Sequence, residues 1–187
     1  PPPRSTLFPY TTLFRSNQAI KDLQMLERAL IKSNDQLADK IKDEGLKIIR
    51  RNADMMVNSE EAMLENLKSV ATDHNVGEII RAGRVTEVEL MNTSDKAKYI
   101  EYGTGITGKD NAHPELPSGW EYYQDSPFKR KVNEVDGWFN KSSLGYTHFF
   151  KGMPSQPFYW QSKIDIKKKL PKWFSTLLKK NMKGGMK

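Results

Sequence analysis

Glu78-Ile-Ile-Arg-Ala-Gly-Arg-Val-Thr-Glu-Val-Glu-Leu-Met91 is where the periodicity of the chain changes. Glu87, Val88, Glu89 and Leu90 alternate polar with apolar, the two-residue period of a half-buried strand. The stretch predicts strands over 78–82 and 84–91. Gly83 between them is tight for a favoured hairpin unless the first strand ends before Arg81, so a bulge or bent strand also fits.

Upstream the period is helical. Ile20, Leu23, Leu26 and Leu30 recur at three- to four-residue spacing and predict a helix over 17–32. Ser33-Asn34-Asp35 reads as a break followed by a cap. A second helix is expected over 35–56, with Leu37, Ile41, Leu46, Ile48 and Ile49 as its apolar stripe. Gly45 in it marks either a close approach or a weak spot. Ser59 is placed to cap a third helix over 60–71, which would bury Met63, Leu64, Leu67 and Val70.

Downstream, 97–102 suits a short helical turn or a strand, ending at Gly103-Thr-Gly105. Residues 105–145 combine glycines and prolines with Trp120, Tyr122, Trp138 and Phe139, the mark of an ordered excursion or short hairpin. A last strand is expected over 146–151. A terminal helix then starts near Pro157, whose missing amide hydrogen costs nothing in a first turn. Pro171 should break or kink that helix before Trp173, Phe174, Leu177 and Leu178 resume an amphipathic pattern. Residues 181–187 are expected to fray as a basic tail. The expected class is α+β: N-terminal helices, a small antiparallel sheet with a long aromatic-rich loop excursion, and a C-terminal helix packed back on the sheet.

The 187 residues suffice for one domain, expected over 17–180. With 37% apolar and 28% charged residues, the composition suits a globular chain. No apolar run reaches the length of a membrane span, so no membrane partner is expected. The cysteine count of 0 removes disulfides and thiolate chemistry. Thr6-Leu-Phe-Pro-Tyr-Thr-Thr-Leu-Phe-Arg-Ser16 matches the translation of a common sequencing-adapter oligonucleotide. Residues 1–16 are therefore expected to be artefactual, as in a metagenomic assembly, and carry no weight in the fold argument. The net charge is +7, but 163–187 hold nine lysines against the single acid Asp165. The basicity belongs to one segment and not to the whole domain.

His74, His113 and His148 lack any metal-ligand spacing, and a loop site joining His113 to Asp110 or Glu115 has little behind it. Gly103-Thr-Gly-Ile-Thr-Gly108 lacks the lysine and the strand-to-helix setting of a phosphate loop. The serines have no nucleophile-elbow context. No catalytic, cofactor-binding or metal-binding residue is therefore assigned. Lys167, Lys168, Lys169, Lys172, Lys179 and Lys180, interleaved with Trp173, Phe174, Leu177 and Leu178, are candidate contacts to an anionic surface. The absence of arginine there argues against bidentate recognition.

Asp95-Lys-Ala-Lys-Tyr-Ile-Glu-Tyr-Gly-Thr-Gly105, followed by a Trp- and Gly-rich excursion and then Lys151-Gly-Met-Pro-Ser-Gln-Pro-Phe158, resembles the tail-completion or minor tail-component family of long-tailed phages and prophages. The family pattern A-x-Y-V-E-F/Y-G-T-G falls on Ala97, Tyr99, Ile100, Glu101, Tyr102, Gly103, Thr104 and Gly105. Its P-x-x-P-F segment falls on Pro154, Pro157 and Phe158. His113-Pro114 and Gly119-Trp120 resemble a longer-loop branch. Members often carry a P-x-x-T-G-x-L-R-x-S segment before the first strand, where this chain has 57–77 with a helical pattern. The lysine-rich extension past Trp173 is also longer than the family needs.

The resemblance implies a structural protein without catalysis or cofactor, forming a ring of its own copies at the head–tail junction or tail top. Its implied partners are other tail and head-closure proteins, close to the DNA path. Its implied location is the virion, and the host cytoplasm during assembly. A stand-alone binder of nucleic acid or another anionic surface, working through the lysine-rich helix, is the alternative. In the family reading Glu101 pairs with a lysine or an amide, and Pro154, Pro157 and Phe158 lock the chain into its last helix.

Overall fold

The computed structural model describes residues 10–57, 62–83, 85–122, 129–132, 135–141 and 147–184. Helix α1, Tyr10–Met56, is one uninterrupted element of 47 residues, about 70 Å long. The expected break at Ser33-Asn34-Asp35 is therefore corrected. Ser33 is fully buried, and its hydroxyl donates to the Ala29 carbonyl one turn back (2.6 Å) and so does not cap a new helix. The stripe expected to be buried at the start of α1 is also corrected in part, because Ile20, Leu23 and Leu26 are exposed.

Helix α2, Ala62–Asp73, follows; the expected Ser59 cap lies outside the described residues. Strands β1, Asn75–Ala82, and β2, Val85–Asn92, form a two-stranded antiparallel sheet. Pairing runs unbroken from Asn75↔Asn92 to Ala82↔Val85. The alternative of a bulge is thus corrected to a two-residue connection, in which Gly83 takes φ +61°. One face, with Gly77, Ile79, Val88 and Leu90, lies on α1. Gly45 marks a close approach: a Cβ there would meet Leu90 of β2 at 2.6 Å. Arg81 fastens the end of the hairpin to Asp35 and Asp39 of α1 (3.5 and 3.6 Å).

Two short helices come next, α3, Ala97–Tyr102, and α4, Gly105–Asp110. Of the two options for 97–102, the helix is the one adopted. The expected single small sheet becomes two, because strands β3, Lys129–Val132, β4, Val135–Lys141, and β5, Thr147–Phe150, build a separate antiparallel meander. A two-residue strand β6, Gly152–Met153, then precedes helix α5, Phe158–Gly184.

Pro171 lies inside α5, and the expected break there is corrected. Lys167, whose carbonyl loses its amide partner at that point, and Pro171 are both exposed, so water can satisfy the freed group. The helix also continues through residues 181–184, which were expected to fray. Asn181 explains this: its amide donates to Ser33 Oγ (2.9 Å) and Gln36 Oε1 (3.0 Å) of α1.

The architecture is α+β, as the sequence predicts, with α5 returning along α1 beside the sheet. Between the helices, buried Asn52 donates to Ser162 Oγ (3.0 Å), and Arg51 pairs with Asp165 (2.9 Å). The core gathers Ile49, Ala53, Val57, Ala71, Ile100 and Phe158, where α1, α2, α3 and the first turn of α5 meet. Phe158, from the P-x-x-P-F segment, is fully buried at its centre.

Candidate functional site

Glu101 sits on α3 between buried Ile100 and half-buried Tyr102, two residues before Gly103 (φ +77°), which ends the helix. Ile100 fixes the phase by filling the core, and that phase turns Glu101 inward against the start of α5. The Glu101 carboxylate accepts the backbone N–H of Tyr159 at Oε2 (2.9 Å) and that of Trp160 at Oε1 (2.8 Å). Those amides belong to the first turn of α5, which has no internal acceptors for them. Glu101 is thus a helix cap supplied from a distant segment, and its negative charge lies at the favourable end of the helix dipole.

His113, 12 residues further along and also buried, completes the cluster. Its Nδ1 accepts the Glu115 N–H (2.8 Å), so the proton of the neutral ring is on Nε2, which faces Glu101 Oε1 at 3.1 Å. Burial pushes the Glu101 carboxyl above its ordinary pKa, opposed by the Tyr159 and Trp160 amides and by His113. Burial likewise raises the Tyr159 phenol, with the Glu101 charge adding to it; its hydroxyl donates to Asn75 Oδ1 (2.6 Å) at the start of β1. Around the pair, Tyr102 meets His113 edge-on (4.9 Å between centroids), and Trp120 lies against Tyr102 (5.0 Å).

The backbone closes the same junction. Ser155 Oγ donates to the Glu101 carbonyl (2.6 Å), and Gln156 N–H donates to the Ile100 carbonyl (2.9 Å). Thr104 pairs with Met153 and Gly105 with Gly152 in antiparallel bridges, and the Met153 N–H also donates to Thr104 Oγ1 (3.1 Å). Gly152 stands at φ +108°, where a Cβ would run into the Thr104 carbonyl.

The residues of the two motifs are therefore brought together. Ala97, Glu101, Gly103, Gly105 and Phe158 are buried in the junction, Tyr99, Tyr102, Thr104 and Pro157 are half-buried around it, and Pro154 is exposed. The six candidate lysines are not part of it; all are exposed along α5. His113 and Gly152 are the members to which sequence reasoning gives no role here. His113 reads only as a weak metal-ligand candidate and as part of the longer-loop resemblance, and Gly152 stands within the quoted 151–158 segment without being singled out.

A histidine beside a carboxylate invites a catalytic reading. A general base needs one ring nitrogen open to substrate, and here both are taken, Nδ1 by an amide and Nε2 by Glu101. The adjoining cavity of about 400 Å³ is floored by Ile41, Ile49, Val88, Leu90 and Ile166. At its edge Lys163 pairs with Glu115 (3.0 Å) and holds that carboxyl below its ordinary range. Among the described residues no group of three His, Asp or Glu is placed to hold a metal ion, and no helix is long and apolar enough to cross a membrane. Comparison with protein-family models, curated proteins and solved structures finds no match.

Proposed function

We propose that this chain is a structural component of the tail or head–tail junction of a tailed phage. In this reading it works by contacts between its own copies that close into a ring, and it carries no catalytic step. One observation supports the reading above the rest. The two segments that resemble the tail-completion family, 97–105 and 154–158, interlock around Glu101, whose carboxylate caps the helix that the second segment opens. The residues of the resemblance thus do a job that a rigid assembly module needs: they hold surfaces in place. Other copies, tail proteins and head-closure proteins are the partners, in the virion and, during assembly, in the host cytoplasm.

A second reading, a binder of nucleic acid or another anionic surface, is favoured by the exposed lysines of α5. The two separate by mass and salt dependence. The assembly reading expects the full chain, alone or with co-expressed head-closure and tail proteins, to form a species that contains several copies of the protomer, with weak DNA binding. A monomer that ignores those proteins and binds DNA tightly, with an affinity falling steeply with salt, contradicts it.

A further inference from the structure

The outer face of the β1–β2 hairpin has no partner among the described residues. It presents Val76, Ile80, Val85 and Met91, which are 39%, 43%, 57% and 39% exposed. Between them stand Glu78, Glu87 and Glu89. The register sets Glu78 directly opposite Glu89, and Glu87, opposite Ile80, lies on the diagonal. Like charges directly opposite on one face destabilise a sheet, and no described residue forms an ion pair with any of the three. Here a mixed apolar and acidic face is held at a cost with nothing among the described residues to relieve it.

The complementary surface exists in the same molecule. Lys168, Lys172, Lys179 and Lys183 fall at four-, seven- and four-residue spacing on α5, and all are exposed. At 100° per residue they fall within about 60° of one another, with the centre of the stripe about 110° from Trp173 and about 170° from Asn181, which meet α1. No acid occurs after Asp165. The stripe is about 22 Å long and the hairpin face about 20 Å, and lysines four apart are spaced about 6 Å, near the spacing of Glu87 and Glu89. The described hairpin and helix of one chain do not face each other, because the hairpin turns its outer face away from α1 while α5 turns its lysine stripe outward from the same helix.

We infer that the outer face of the β1–β2 hairpin docks on the lysine stripe of α5 in a second copy of the chain. The contact is head-to-tail: each copy offers one acidic hairpin and one basic helix, so copies add in one direction until the rotation closes. Val76, Ile80, Val85 and Met91 supply the apolar area, and the charges set partner and register. This deepens the assembly reading and rests on it.

The test is sedimentation of the full chain with two charge-reversed variants, one carrying E78K, E87K and E89K and the other carrying K168E, K172E, K179E and K183E. All positions are exposed, and circular dichroism checks that each variant folds. Each variant alone is expected to self-associate at least about 100-fold more weakly than the wild type, and the equimolar mixture is expected to recover association. Raising salt from about 0.1 to about 1 M should weaken the wild-type assembly. Variants that assemble as tightly as the wild type overturn the hairpin–helix contact while leaving assembly intact. A wild type that stays monomeric at every concentration and partners no charge-reversed variant overturns the contact, and if it also ignores co-expressed head-closure and tail proteins and binds DNA tightly, the assembly reading falls with it.

Discussion

Replacing Glu101 by alanine removes the acceptor for three donors at once. Glu101 is 5% exposed, so water does not freely replace it. Loss of a helix N-cap costs about 1 kcal/mol. Each buried donor left unpaired, here the Tyr159 and Trp160 amides and His113 Nε2–H, costs about 1–3 kcal/mol before relaxation. Against this, burial already works against the carboxylate, as its raised pKa shows, so removing it returns part of that cost. The balance is a loss of about 3 kcal/mol, a large part of the roughly 5–15 kcal/mol that holds a domain.

Glu101→Gln separates shape from charge. Its carbonyl can accept one amide while its NH2 faces another donor, so in acid it should cost about 1–2 kcal/mol. The sign of the pH dependence follows from the raised pKa. In the window above the ordinary Glu value of 4.5, the folded chain holds the proton more tightly than the unfolded chain. That contribution is full below the ordinary value and is lost as pH rises through the folded pKa, so the wild type's advantage over Glu101→Gln should shrink from acid toward neutral pH. Urea unfolding of the three proteins, followed by tryptophan fluorescence across that range, measures both effects. An alanine variant that loses less than about 1 kcal/mol with an unchanged denaturant slope, or an advantage that grows with pH, refutes the reasoning.

Gly152→Ala should lose at least about 2 kcal/mol, because both its positive φ and the Thr104 carbonyl oppose a Cβ. Gly119→Ala, at φ +79° with nothing within 4 Å, should lose only about 1 kcal/mol, and thermal melts of the pair isolate the backbone contact. Phe158→Ala should cost about 3–5 kcal/mol in chemical unfolding, as befits a fully buried aromatic at the centre of the core. Asn52→Ala should cost about 1–3 kcal/mol by removing the hydrogen bonds that its amide donates to Ser162 and Asp165 and so loosening α1 from α5, whereas Lys163→Ala, which breaks only an exposed ion pair, should stay within about 1 kcal/mol in the same assay.

The change from helical to alternating period near Val76 made the α+β class legible, because burial on one face writes itself into the pattern of neighbouring residues. Pro157 likewise announced the start of α5 to within one residue. What stayed hidden depended on partners far away in the chain. Ser33 looked like a break because serine favours caps; inside the helix its hydroxyl donates to the Ala29 carbonyl and accepts from Asn181, 148 residues on, a partner the local sequence does not announce. Pro171 looked like a stop because nothing in the sequence says which carbonyls will face water. Glu101 was legible as a residue that pairs with a lysine or an amide, but the choice of amides, their identity and the arrival of His113 follow from the tertiary approach of α5. Gly152 carries its meaning only through Thr104, 48 positions earlier.

The central claim is that Glu101 joins the 97–105 segment to the helix opened by 154–158, making one rigid junction. Amide hydrogen exchange at Tyr159 and Trp160 tests it most directly, since first-turn amides of a helix ordinarily exchange fast for want of an acceptor. The account predicts that both exchange as slowly as core amides in the wild type and become fast in Glu101→Ala under conditions where that variant remains folded. Fast exchange at both positions in the wild-type protein would contradict it.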